Sequence, residues 1–248
     1  FWRSVDGTTH GPLAEWAILL PSLFTAQIDY TLSRTVGVAL VWLSLLAAWS
    51  VFRRFFPKYQ ARLLLLPLLA THAFTNFAGF VQYGSELVPA ALIAIGCAFL
   101  LTALPVADGE INRRSLFLAG VMFGAAPFAK IQIAPLAAWG LAGGAVVLVA
   151  PGVNTWRERR AKIWPLVLGG LTVPVAFFFW VCVDGLLPDF WRSYILNTAQ
   201  YAGARWFDWS DGPMKYLELA RGAGGTDRYL VWMGTLALVG LLWWRSYS

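Results

Sequence analysis

LFLAGVMFGAAPFAKIQIAPLAAWGLAGGAVVLVAP, residues 116–151, holds one charged side chain, Lys130, with Gln132 two positions on. One bilayer crossing takes about 20 apolar residues, so the run divides into a span at 115–129 and another at 131–150. The first is short for a crossing. It reads as a tilted or half-length helix that could continue through the polar AKIQ into the second. An ammonium at membrane depth costs about 3 kcal/mol or more and marks a functional residue by default. The structural alternative for Lys130 is snorkelling to the interface.

The rest of the chain has the same character. Of 248 residues, 58% are hydrophobic and 13% charged, against about 25% charged in soluble domains. This composition excludes an ordinary soluble domain. It predicts an all-α, polytopic integral membrane protein of about seven transmembrane helices, the others at 32–52, 62–81, 87–105, 163–183 and 229–244. Fourteen tryptophans fit the headgroup preference of indole. The net charge of +6 then concerns membrane sidedness, and nucleic acid is not an expected partner. Cys97 and Cys182 lie inside apolar runs, where thiols pack and do not build a disulfide framework. Nothing resembles a cleavable signal peptide. The chain opens at Phe1 without a methionine and stops just past an apolar run, so a piece truncated at both ends is expected.

Basic residues set the orientation. Arg53, Arg54, Lys58 and Arg62, then Arg113 and Arg114, then Arg157, Arg159, Arg160 and Lys162, and finally Arg245 alternate onto one side, which should be cytoplasmic. The opposite face receives residues 1–31, QYGSE (82–86), the Lys130 turn and the 184–228 loop. Ten of the thirteen acids lie there, Glu15 and Glu86 among them. Residues 12–24, PLAEWAILLPSLF, are too few to span and read as an amphipathic interfacial helix started by Pro12. The 184–228 loop alternates aromatics with charges. Its Arg192, Tyr194, Arg205, Trp206 and Asp208 could close over a substrate, although an interfacial float explains them more simply.

Several polar side chains on that face form a candidate site. Asp6 is a potential base or, equally, an Asx turn before Gly7. His10 could contact sugar or phosphate, or face solvent. Glu86 follows Tyr83, Gly84 and Ser85 at the mouth of a span, where the helix dipole alone would favour a carboxylate. Arg34 opens the first span and serves either phosphate or interfacial anchoring. His72 and Asn76, four apart on one helix face, could line the site or bond neighbouring helices. Gly120 and Gly124 form a G-x-x-x-G, most simply a close-packing seam. No His/Cys cluster, P-loop, dinucleotide fingerprint or serine elbow is present, and no metal is expected.

The order TTHGPL, LSRTVGVAL, YGSE and FLAGVMFGAAPFAKIQIAPLA, over residues 4–150, resembles polyprenyl-phosphate-dependent glycosyltransferases of the GT-C fold. The branch in question is glycosyltransferase family 39-like, with protein O-mannosyltransferases and lipid A aminoarabinose transferases. The resemblance implies a single transmembrane domain in a bacterial inner membrane, working at the periplasmic face. It would need no cofactor beyond a lipid-linked sugar donor, with a glycan, lipid or protein as acceptor. Asp6 and Glu86 would then be catalytic, and His10, Tyr83, Lys130, Gln132 and Arg34 would bind substrate. The family carries its catalytic acid just after a first transmembrane helix that is absent here, so the base is either Asp6 or lies upstream of Phe1. The rivals are a secondary transporter or lipid flippase, which predicts repeated halves with broken helices, and a non-catalytic scaffold.

The sidedness is directly testable. Single cysteines at positions 58, 112 and 160 should label from the cytoplasmic side with a membrane-impermeant maleimide. Those at 85 and 189 should label only from the other.

Overall fold

The computed structural model describes residues 11–24, 28–74, 83–104, 111–149 and 156–198. These are α1 (Pro12–Ser22), α2 (Tyr30–Phe55), α3 (Lys58–Phe74), α4 (Leu87–Ala103) and α5 (Arg113–Ala129). A 3-10 turn (Ile131–Ile133), α6 (Ala134–Val149), α7 (Trp156–Val183) and α8 (Leu187–Phe190) follow, and α8 runs into a π-helical turn, Trp191–Leu196. The sequence supplies the starts. Pro12 occupies the opening of α1, where a missing N–H costs nothing. The Asp29 carboxylate accepts from the Leu32 N–H at 2.8 Å to open α2, and the Asn112 side chain accepts from the Ser115 N–H at 3.1 Å to open α5.

Three stretches are long and apolar enough to cross a membrane among the described residues: Tyr30–Phe55, Ile131–Val149 and Arg160–Val183. The 17 residues of α4 rise about 25 Å and are apolar throughout, a little short of a full hydrocarbon core. The span expected at 229–244 lies outside the described residues. The exposed surface agrees with lipid as the solvent. On α7, Trp164, Leu168, Leu171, Val175 and Phe179 are exposed in one stripe at helical spacing, while Leu166, Gly169, Gly170, Phe177 and Val181 are buried. A stripe of large apolar side chains on the outside is a liability in water and the normal state in a bilayer.

At the centre stands α5, flanked by α4, α6 and α7, with α2 on α4 and α3 on α2. Its seam with α7 is made of backbone. A Cβ on Gly120 would stand 2.2 Å from the Leu166 carbonyl oxygen, and one on Gly124 would stand 2.3 Å from that of Gly170. From the other side, a Cβ on Gly169 would stand 2.0 Å from the Phe117 oxygen. The G-x-x-x-G seam read from the sequence therefore has its partner in the adjacent pair Gly169–Gly170. Leu116, Ala119, Phe123 and Leu166 close the core beside it.

Two expectations need correction. The fourth span does not continue into the fifth. Lys130 is extended (φ −159°, ψ 117°), and α6 runs back along α5, with Gly140 against Phe123 and Gly144 against Leu100 and Leu166. Helix α1, expected to be amphipathic, has no polar face. Pro12 and Ala14 are buried against the bundle, whereas Trp16, Leu19 and Leu20 are exposed. It is docked by one apolar side and exposes another.

The contacts sort the junctions into two ends. At one, the Arg54 guanidinium donates to the Leu104 carbonyl at 2.8 Å and the Asn112 N–H to that of Ala103 at 3.1 Å, joining two basic junctions. At the other lie α1, residues 83–86, Lys130 and the π-helical turn.

Gly169→Ala should destabilise the bundle by about 1–3 kcal/mol through overpacking. Gly143→Ala, whose Cβ would meet nothing within 4 Å, should be neutral or slightly stabilising. Unfolding in mixed micelles with increasing denaturing detergent measures both.

Candidate functional site

The end of α5 creates the site. Pro127 removes one N–H from the last turn and weakens it. The Lys130 N–H still donates to Ala126 at 3.2 Å, and there the ladder stops. Below the break, the Gly11 N–H donates to the Ala129 carbonyl at 2.8 Å, and the Tyr194 hydroxyl donates to the Pro127 carbonyl at 2.5 Å. Gly11 has no room for a side chain: a Cβ would come within 2.0 Å of the Phe128 oxygen and 2.5 Å of the Tyr194 hydroxyl. This close approach brings the start of α1 to the mouth of the break.

Because Lys130 is extended and not helical, its side chain leaves the α5 axis and reaches residues 85 and 86. Nζ stands 2.5 Å from Glu86 Oε1 and donates to Ser85 Oγ at 3.4 Å. The pair is asymmetric: 15% of the lysine side chain is exposed against 68% of the glutamate. Glu86 immediately precedes α4, with its carboxylate beside the positive end of that helix. Partial burial pushes its carboxyl up. The Lys130 hydrogen bond, its own backbone N–H, the ammonium charge and Ser85 together outweigh that, holding the group below its ordinary value.

Tyr83 closes the floor. Its hydroxyl donates to the Ala14 carbonyl, and its ring packs with Ala14, Val88 and Ala129. Burial pushes the phenol well up, and the Glu15 and Glu86 charges push it further, so it remains a neutral donor. The same interaction places Glu15 of α1 near the site.

The structure thus brings together Lys130, Glu86 and Tyr83 from the expected set. Gln132 is exposed in the 3-10 turn beside Lys130. Arg34 is on the first turns of α2, its guanidinium 5.3 Å from the centroid of the Tyr30 ring, in an open hollow with Thr31, Thr35 and Val38. Asp6, His10, Asn76, Arg205, Trp206 and Asp208 lie outside the described residues. His72 is half-buried on α3. Sequence reading did not select Glu15 or Ser85 for the site, and weighed Tyr194 both as closing over a substrate and as part of an interfacial float. Tyr194, read as part of an interfacial float, is 1% exposed and clustered with Phe128, Phe177, Val181 and Phe190. Among the described residues no three His, Cys, Asp or Glu side chains group to hold a metal. Comparison with protein-family models, curated proteins and solved structures returns no match.

Chemically, the arrangement offers one mostly buried cation, one accessible carboxylate that it neutralises, and hydroxyl donors at the edge of an apolar bundle.

The asymmetry predicts stability. Lys130→Met removes a buried charge and leaves Glu86 free to hydrate, so the cost should stay within about 1 kcal/mol. Glu86→Leu strands the ammonium and should cost more. The depressed Glu86 carboxyl means that the unfolded chain takes up the proton first as pH falls. The contribution of the pair should therefore be full above the ordinary carboxylate range and vanish as pH falls through the lowered value. Unfolding of wild type and Glu86→Gln across pH 3–7 measures it.

Proposed function

We propose that this is an integral membrane glycosyltransferase of the GT-C type, with about seven transmembrane helices. It moves a sugar from a polyprenyl-phosphate donor to a glycan, lipid or protein acceptor at the periplasmic face of a bacterial inner membrane. The observation that supports this reading is the Lys130–Glu86 pair at a helix break, where the apolar bundle meets its polar end.

Each part has a task. The lipid tail of the donor lies along the apolar outside of the bundle while its phosphate takes the Lys130 ammonium, with Ser85 beside it. The bond between the anomeric carbon and the phosphate oxygen breaks, and a bond from the acceptor oxygen or nitrogen forms. The acceptor's proton passes to a carboxylate, and polyprenyl phosphate leaves with its charge neutralised by Lys130. Glu86 suits the proton-accepting role because it is largely exposed. Once phosphate competes for Lys130, the influence that lowers its basicity weakens. Glu15 is a second carboxylate beside the same tyrosine. Asp6 as base, with His10, Gln132 and Arg34 on sugar or phosphate, completes the proposal.

The test is turnover by the protein in lipid bilayers with a panel of undecaprenyl- and dolichyl-phosphate sugars. Lys130→Ala should lower kcat/KM by about 100-fold or more, the scale of losing one transition-state charge partner. Glu86→Gln should match it if Glu86 is the base, and Asp6→Asn if Asp6 is. Folded protein that neither binds nor turns over any of these lipids would sink the reading and favour a transporter or flippase.

A further inference from the structure

The break at Lys130 has a specific cause. In a continuous helix the Ile131 N–H would donate to the carbonyl four residues back, that of Pro127. Here the Pro127 carbonyl is bonded to a side chain instead. The Tyr194 hydroxyl donates to the Pro127 carbonyl at 2.5 Å, and the Ile131 N–H, which would have closed the rung, faces the same Tyr194 oxygen. The phenol stands inside one rung of the α5 ladder, 67 residues away in sequence. Side-chain insertion of this kind is an established cause of helix interruption. It leaves the Pro127 carbonyl satisfied where no helical N–H reaches it.

We propose that Tyr194 is the positioning residue for Lys130: its inserted hydroxyl keeps the ladder from closing, and so holds Lys130 extended against Glu86. With the rung closed, Lys130 would take helical angles and its side chain would follow the helix surface, away from residues 85 and 86. The ring is anchored independently of the hydroxyl. It packs 5.6 Å, centroid to centroid, from Phe190 and lies among Phe128, Phe177 and Val181. Loss of the oxygen alone therefore leaves the packing in place. The consequence for phosphate binding rests on the reading of Lys130 given above; the geometric claim does not.

The experiment measures the pair itself. Protein in lipid nanodiscs is treated with a water-soluble carbodiimide, and the Lys130–Glu86 amide is quantified by peptide mass spectrometry. Tyr194→Phe should lower its yield about fivefold, the scale of one net hydrogen bond. Ile131→Pro supplies the rescue. Proline has no N–H to close the rung, and it holds the preceding residue in the extended region that Lys130 already occupies. The double variant Tyr194→Phe, Ile131→Pro should recover the wild-type yield, which a tyrosine needed only for packing would not allow. An unchanged yield in Tyr194→Phe overturns the proposal, as does a loss that proline fails to restore. If Tyr194→Phe alone does not fold, the double variant must fold and cross-link for the proposal to stand. Farnesyl phosphate binding is measured on the same samples. Lowered cross-linking with no binding to wild type leaves the positioning role intact and removes the phosphate reading. Binding that weakens in step with cross-linking supports both.

Discussion

Where a helix stops inside an apolar bundle, its last carbonyls lose their partners and no water replaces them. The end of α5 is such a place, and the polar end of the molecule is arranged around it. Ala126 is satisfied by the Lys130 N–H, Pro127 by the Tyr194 hydroxyl and Ala129 by the Gly11 N–H. Each partner brings a piece of chain with it. Gly11 delivers α1, and Tyr194 delivers the π-helical turn after α7 and α8. Lys130, left extended by the same break, reaches the start of α4. A single interruption in hydrogen bonding thus recruits segments distant in sequence and sets one mostly buried cation among them.

The glycine seam makes that arrangement possible. With Gly120 and Gly124 against Gly169 and Gly170, α5 and α7 approach at backbone contact. Phe128 and Phe177 then meet with ring centroids 4.4 Å apart, and the turn after α7 folds back over the end of α5. Bulkier residues at the crossing would spread the two helices and withdraw the tyrosine. Packing between helices without side chains is favourable in lipid because close backbone approach maximises dispersion contact. Helix crossing and site geometry are therefore one constraint seen at two levels.

Much of the candidate site was legible residue by residue. Lys130 stood out because an ammonium in an apolar run has a large desolvation cost, and Glu86 because it opens a span. Their pairing, across 44 residues, was not legible. Glu15 was grouped with the acids of its face, but its nearness to Tyr83 exists only once α1 docks on residues 83–88. Tyr194 was misread for a physical reason. Alternating aromatics and charges describe an interfacial segment well, and nothing in that pattern reveals that one ring is buried as a hydrogen-bond partner for another helix. The amphipathic reading of α1 failed similarly, since one glutamate in an apolar helix does not make a polar face.

The sequence by itself determined the helical, membrane-compatible character of the chain, because composition and run length govern transfer free energy and need no tertiary contact. It also determined the helix starts at Pro12, Asp29 and Asn112, the small-residue seam and the one cation of the apolar run 116–151, all local in their causes. Only the tertiary structure decided that α5 ends at Lys130, that α6 turns back along it, and that Lys130, Glu86 and Tyr83 share one site. Those outcomes depend on which distant group satisfies each orphaned carbonyl, and periodicity along a chain carries no record of that choice.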